Sequence, residues 1–295
     1  MTGFTQKNSL LIMHLIVVIL GFTGILGKLI ESSTSIIVWY RMMIAFVSLG
    51  LFLLFKNKLI DSFKKNLKPL LLIGAIVALH WVFFFESIKV SNVSIAVVCL
   101  ATSSLFSALI EPFIFKRKIK LYEILFGIIV ILALSYALKA DTGNLLGYIY
   151  GIIAAFLGTL FTIFNAVYIN KNESTTITFI EMIGGFLLIS IYLMFSKEIK
   201  FIDFQISKED LLYLIILGII CTSFAFVVSV EVMKTLSPYS VIMAVNLEPI
   251  YSIVIAIILF GESEKMSIDF YIGGTIVIFI VFLDGIIKNK LKKIK

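Results

Sequence analysis

Two stretches decide how this chain is read: Ala78-Leu79-His80-Trp81-Val82-Phe83-Phe84-Phe85-Glu86-Ser87-Ile88-Lys89 and Phe224-Ala225-Phe226-Val227-Val228-Ser229-Val230-Glu231-Val232-Met233-Lys234. Each lies in a hydrophobic hairpin, one from about residue 70 to 115 and the other from about 213 to 260. Laid over each other at a constant offset of 145, they match at Glu86/Glu231, Lys89/Lys234, Ser107/Ser252, Ile110/Ile255 and Phe115/Phe260. Aliphatic and aromatic coincidences mean little in so apolar a chain. Charged residues are scarce, however, and a Glu-x-x-Lys at the same point of both hairpins reads as an internal repeat.

The composition sets the solvent. Sixty per cent of the 295 residues are hydrophobic, 15% are charged and the mean hydropathy is +1.10, whereas a soluble domain carries about 25% charged residues. The chain is therefore expected to be an all-α integral membrane protein. Its two cysteines, Cys99 and Cys221, fall inside apolar runs and read as small buried hydrophobes, neither a disulfide nor a metal site. No bound metal or other cofactor is expected.

A span of roughly 20 apolar residues crosses a bilayer as a helix. That criterion gives ten candidates, at about 10–29, 35–55, 68–88, 93–115, 121–138, 146–169, 175–195, 210–233, 239–260 and 268–287. The runs are continuous and do not alternate with period two, which argues for helices over a barrel. The first run lacks a small-x-small cleavage site and is expected to be a retained helix, not a signal peptide.

With the N-terminus inside, 17 of the 25 Lys and Arg fall on inside segments and 6 outside; Lys28 and Arg41 lie within spans. This bias predicts cytoplasmic N- and C-termini. It also accounts for most of the net charge of +7, so no nucleic-acid partner is implied. The basic tail at Lys288–Lys295 reads as a membrane-surface segment.

Ten helices divide into two fives, residues 1–140 and 141–295. An odd number of spans per repeat forces the halves into opposite orientations, which is inverted-repeat architecture. The turn Lys116-Arg117-Lys118 then faces inside, and its mate Gly261-Glu262-Ser263-Glu264 faces outside. Inverted repeats place a binding site near mid-membrane, because exchanging the conformations of the two halves opens it to the other side. The expectation is a carrier.

Several segments carry a family resemblance: Gly21-Phe22-Thr23-Gly24-Ile25-Leu26-Gly27-Lys28, Trp39-Tyr40-Arg41, Leu247-Glu248-Pro249-Ile250, Leu259-Phe260-Gly261-Glu262 and Gly273-Gly274. Taken in order they resemble the ten-helix EamA type of the drug/metabolite transporter superfamily. The first repeat departs from the pattern: Ser104 stands opposite Pro249, Glu111-Pro112 falls later, and Lys116-Arg117-Lys118 replaces the Gly-Glu turn. The resemblance implies transport, often export, of small metabolites such as amino acids, without ATP hydrolysis and without a bound cofactor.

Ionisable and amide groups inside the hydrocarbon region are costly and mark cavities or partners. The substrate-binding candidates are Arg41, His80, Glu181, Asn246 and Glu248; Lys28, Glu86, Glu111, Asn165 and Glu231 are secondary pore-lining candidates. At 1.5 Å per residue, Glu248 lies roughly 15 Å into its helix, and His80 is about as deep. Arg41 either binds a substrate carboxylate bidentately or snorkels outward to Glu31 or Glu86. Glu248 precedes Pro249, which removes a backbone donor; it either takes a cation or proton or bonds a neighbouring helix. His80 is a proton relay or a packed neutral ring beside Trp81. Glu181 is repeat mate to Arg41 within a few residues and is expected to line the opposite side of the pore. Glu111 reads as a partner of the Lys116–Lys118 cluster, and His14 as structural. Phe83-Phe84-Phe85, Phe224 and Phe226 line an apolar pocket or face lipid. Gly184-Gly185 and Gly273-Gly274 fit close helix approach.

Other classes fit less well. The chain has no His-Glu-x-x-His, no Gly-x-Ser-x-Gly and only two histidines, so no enzyme is read. A channel would not need two inverted halves. Mixed charge among the candidates favours amino-acid-like zwitterions; efflux of drugs or lipophilic cations is the alternative. Protons are the candidate coupling ion, facilitated diffusion being equally compatible. The remaining expectations are a monomer in a bacterial inner membrane.

Overall fold

In hydrocarbon every backbone N–H and C=O must be satisfied within the chain, so continuous apolar runs fold as helices. The computed structural model describes residues 6–139, 142–196, 201–264 and 266–293, and these contain helices and turns but no strand. The 140/141 repeat boundary and Lys197, Lys200, Lys265 and Lys295 of the charge count lie outside the described residues. The first half comprises α1 (Gln6–Leu29), α2 (Thr34–Phe55), short α3 (Leu59–Ser62), α4 (Leu67–Val90), α5 (Val93–Leu100), α6 (Ser103–Ile114) and α7 (Leu121–Lys139). The second comprises α8 (Leu145–Tyr168), α9 (Ser174–Phe195), α10 (Lys208–Gly218), α11 (Ala225–Val232), α12 (Pro238–Val245), α13 (Glu248–Phe260) and α14 (Ile268–Lys293).

Eight helical segments are long and apolar enough to cross a membrane, from Asn8–Leu29 through Pro238–Ser263. The helices at the two remaining expected spans, α7 and α14, supply the shorter apolar stretches Leu121–Ala133 and Ile268–Ile280, and they pack on each other.

Three of the expected continuous spans are interrupted, each at polar residues. The fourth bends between α5 and α6 at Ala101-Thr102, and the ninth between α12 and α13 at Asn246-Leu247. These breaks are 145 residues apart, the offset at which the two hairpins superimpose. At the first, Thr102 Oγ1 donates to Cys99 O at 2.7 Å and Ser104 Oγ to Ala101 O at 2.8 Å; the same carbonyls accept the backbone N–H of Thr102 and Ser104, in tightened i to i+3 turns. At the second, Pro249 supplies no N–H and starts the new helix. The eighth span widens between α10 and α11 into a π-helical turn, Ile219–Phe224. There Thr222 Oγ1 and Ser223 Oγ donate to the carbonyls five residues back, Leu217 O at 2.7 Å and Gly218 O at 3.0 Å.

The halves interlock through corresponding contacts. Helix α4 packs on α8 and α9, while α10 packs on α1 and α2; α6 packs on α8, while α13 packs on α1. Because lipid tails are as apolar as side chains, association inside a bilayer depends on close fit, and small residues permit it. A Cβ on Gly74 would strike the Glu181 carbonyl, and one on Gly184 would strike the Leu71 backbone. The second half repeats the arrangement: a Cβ on Gly218 would lie 3.4 Å from the Arg41 carbonyl and 2.7 Å from the Ile44 side chain. Gly184-Gly185 thus sits at a close approach as expected. At Gly274 an added Cβ would meet nothing within 4 Å of the described residues, so that glycine answers to no close approach here.

Candidate functional site

The α5–α6 and α12–α13 breaks border one cavity of about 890 Å³ including its open mouth, lined from α1, α2, α4, α8, α11, α12 and α13 and from both sides of the α5–α6 break. Its walls are mostly apolar, and one side is aromatic. His80, Trp81 and Phe84 of α4 face Phe161 of α8 and Phe226 of α11, with ring centroids 5.3 Å apart for His80–Phe161, 5.4 Å for Phe161–Phe226 and 6.0 Å for Trp81–Phe226. From Arg41 and Glu248 the cavity extends toward Met13, Met233 and Val241, the end at which α1 and α12 begin and α11 ends. At the opposite end hydrogen bonds tie the halves together: Lys28 Nζ donates to Ser263 Oγ at 2.9 Å, and Glu31 N to Asp210 Oδ1 at 3.4 Å.

Arg41 is the central cation. It is 1% exposed, so it does not snorkel. Its guanidinium lies over the Trp81 ring with Cζ 3.7 Å from the centroid, a cation–π contact that strengthens where water is excluded. Nε donates to Thr222 Oγ1 at 2.6 Å and Nη2 to Cys221 O at 3.5 Å, both in the π turn. The widened turn therefore supplies a hydroxyl and a carbonyl that an ordinary helix would keep for itself. Nη1 has no protein partner, and none of the ion pairs among the described residues involves Arg41. A guanidinium clamped on two sides with one nitrogen free presents donors to an anionic group.

Glu248 begins α13 directly after the break and lines the same cavity. There it sits at a helix N-terminus, whose dipole favours negative charge, and within the electrostatic reach of Arg41. Asn246 is 1% exposed and its Oδ1 is unpartnered; Asn165 Oδ1 and Ser229 Oγ, also on lining residues, are likewise unpartnered. Buried polar atoms are nearly always hydrogen-bonded, so these three stand out as unsatisfied groups on residues of the cavity wall. His80 Nδ1 lies 2.7 Å from Ala154 O; a carbonyl only accepts, so Nδ1 carries the hydrogen. The ring stacks near Phe84 at 6.3 Å. His80 is thus anchored to the wall and leaves Nε2 for the cavity.

Of the ten residues singled out from sequence, Arg41, His80, Asn165, Asn246 and Glu248 line the cavity. Glu181 does not: it is fully buried behind Asn165, whose Nδ2 donates to Glu181 Oε2 at 3.5 Å. Lys28 sits at the closed end, its Nζ 4.4 Å from the Phe260 ring centroid. Glu86 is half-buried near the end of α4 and does not reach the cavity. Glu231 pairs with Lys234 at 2.7 Å. Glu111 accepts from Arg117 Nε at 3.1 Å and from Tyr239 N at 3.0 Å, so its basic partner comes from the 116–118 cluster, as Arg117. Sequence reasoning missed Thr222 and Ser229, and it took Trp81 only as a neighbour of His80. A polar pair such as Thr222-Ser223 inside an apolar run was the available signal.

The sequence profile of the EamA-like transporter family matches residues 7–138 and again residues 145–284. A crystal structure described only as that of a protein matches with a TM-score of 0.68 and 12% identity, over 92% of this chain and 94% of its own, which shows a shared fold. No curated protein matches the sequence. Two profile matches that together span most of the chain, on a polytopic helical membrane fold with a central cavity, place it by family: the chain belongs to the EamA-like transporter family of the drug/metabolite transporter superfamily, and it is a membrane transporter of small molecules.

Proposed function

We propose that the protein is a secondary carrier that exports amino-acid-like zwitterions unchanged, by alternating access of two inverted five-helix repeats. One observation carries the substrate class: Arg41, clamped by Trp81 and Thr222 with Nη1 unpartnered, shares the cavity with the carboxylate of Glu248. A substrate carboxylate meets the guanidinium and an ammonium meets Glu248, Asn246 Oδ1 and Asn165 Oδ1. The apolar and aromatic wall then takes an apolar side chain. Burial of both charges raises the energetic stake of each pairing, because an uncompensated charge in hydrocarbon is costly.

The ten-span inverted topology is supported by the matched breaks at 101–102 and 246–247 and by the corresponding packing of the two halves. With cytoplasmic termini in a bacterial inner membrane, the cavity extends toward the cytoplasm, which suits loading for export. A monomer contains the whole pathway.

The test is a thermal-shift screen of the detergent-purified protein against leucine, organic anions, nucleotide sugars and lipophilic cations. A ligand at about 100 times its Kd stabilises the fold by roughly 2.7 kcal/mol. Leucine raises the melting temperature of the wild type; Arg41→Ala and Glu248→Gln lose that shift. Leucine shifts that survive both substitutions refute the charge pairing. A shift by lipophilic cations alone replaces this reading with cation efflux centred on Glu248.

A further inference from the structure

Glu181 is the buried ionisable group that this site leaves unused. It has no exposure, its Oε1 has no partner, and its Oε2 is bonded only by the Asn165 amide. Thr178 Oγ1, one helical turn earlier and also fully buried, is unpartnered too. On the helices packed against α9, Arg41 and Tyr40 of α2 bond Thr222 and Phe204 O, His80 and Lys89 of α4 bond Ala154 O and Ile30 O, Glu231 of α11 pairs with Lys234, and Lys68 is exposed at the start of α4. Glu86 on α4 lies three turns beyond Gly74, where Glu181 touches that helix. No cation among the described residues faces Glu181. An isolated carboxylate in hydrocarbon neutralises itself by taking a proton.

Its position in the repeat says where that proton goes. Helices α2 and α9 begin and end 140 residues apart, so Arg41 and Glu181 occupy the same helix position. The fit of their carbonyls repeats as well, Glu181 O against Gly74 and Arg41 O against Gly218. In this state Arg41 lines the cavity while Glu181 is sealed behind Asn165. In an inverted repeat the opposite-facing state arises when the halves exchange conformations, which brings the α9 position to the cavity and withdraws the α2 position from it.

We propose that Glu181 is the proton-binding site of the carrier, occupied in this state and emptied to cavity water in the opposite-facing one. The inference rests on the alternating-repeat reading of the preceding section. On exposure a water molecule accepts the carboxyl proton, giving the Glu181 carboxylate and hydronium; the Asn165 amide remains as hydrogen-bond donor to the anion. The carboxylate regains a proton from the same cavity water before the site is sealed again.

Infrared spectroscopy of the full-length protein in proteoliposomes, titrated with pH and repeated in deuterated buffer, tests this without a known substrate. The wild type shows a protonated-carboxyl C=O band that shifts on deuteration and fades reversibly as pH rises. Glu181→Gln lacks the band, and Glu181→Asp, which keeps the acid, retains it at a shifted frequency. A band equally strong in Glu181→Gln overturns the assignment. A Glu181 band that persists at every pH where the protein stays folded also overturns it, since the carboxyl is then only a structural hydrogen-bonding group. Added leucine changes the band's amplitude in the wild type. A band that titrates but ignores leucine refutes the zwitterion reading and leaves the proton site standing.

Discussion

Replacing Gly74 by alanine probes the seam on which the helices must move. The new Cβ falls on the carbonyl oxygen of Glu181, with the carbonyl carbon and Cα of that residue each 2.7 Å away. All three atoms are helix backbone, so no rotamer change relieves the overlap and α4 must part from α9. Overpacking costs about 1–3 kcal/mol, and an unyielding partner puts this site near the upper figure. Alanine returns about 0.5–1 kcal/mol of helix preference, leaving a net loss of about 2 kcal/mol. At roughly 2–4 °C per kcal/mol for a chain of 150–250 residues, the melting temperature in detergent falls by on the order of 5 °C. Gly274→Ala is the internal comparison: its Cβ meets nothing within 4 Å among the described residues, so only the helix preference remains and the melt stays level or rises. A Gly74→Ala protein that melts with or above the wild type refutes the close backbone contact, and with it the argument that Glu181 and Arg41 ride on matched seams.

The remaining predictions concern charge placement. Thr222→Val keeps the shape but removes the acceptor of the 2.6 Å bond from Arg41 Nε; a hydrogen bond to a charged group contributes about 1.5–3 kcal/mol, so leucine affinity by thermal-shift titration falls about 10- to 100-fold. Arg117→Met strands Glu111 and Glu123, which are 5% and 1% exposed. Breaking a buried pair costs about 3–5 kcal/mol; Arg117 is partly exposed and Lys120 stays 3.3 Å from Glu123, so the loss lies below that range. It still exceeds that of Lys64→Met, whose partner Asp61 is on the surface; equal melts for the two would refute the account.

Much of the fold was legible because membrane helices are set by span length and apolar composition, which local sequence carries in full. The repeat was legible in Glu86/Glu231 and Lys89/Lys234 because charge is rare in hydrocarbon. The helix breaks were half legible. Pro249 announced the second, but the first has serine at the matching position and is made by Thr102 and Ser104 bonding back to their own helix. The π turn was not legible, since its extra residue is stabilised by Arg41 reaching across from α2, and a long-range partner leaves no local pattern. For the same reason the repeat correspondence with Arg41 singled out Glu181 but not the face on which it lies. Asn165, one helix away, decides that it is sealed from the cavity.

On the reading proposed above, the unlike charges of the two repeat mates give the carrier a direction. Glu248 stands 145 residues from Ser103, which also lines the cavity beside its own helix break. Residues beside both breaks line the one cavity, so on that reading exchange of the halves keeps Glu248 at the cavity in both states. The partner of a substrate ammonium is therefore common to both. The partner of its carboxylate is not: Arg41 lines the cavity in this state and yields the place to Glu181 in the other. On that reading a zwitterion is held at both ends while the cavity extends toward Met13 and Met233. After the exchange it faces a carboxylate where the guanidinium had been, and once Glu181 has shed its proton the substrate's own carboxylate is repelled. Substrate binding and proton release thus favour opposite states of the same pair of helices. Under that reading the carrier loads at the end where α1 begins and unloads at the end now tied by Lys28 and Ser263.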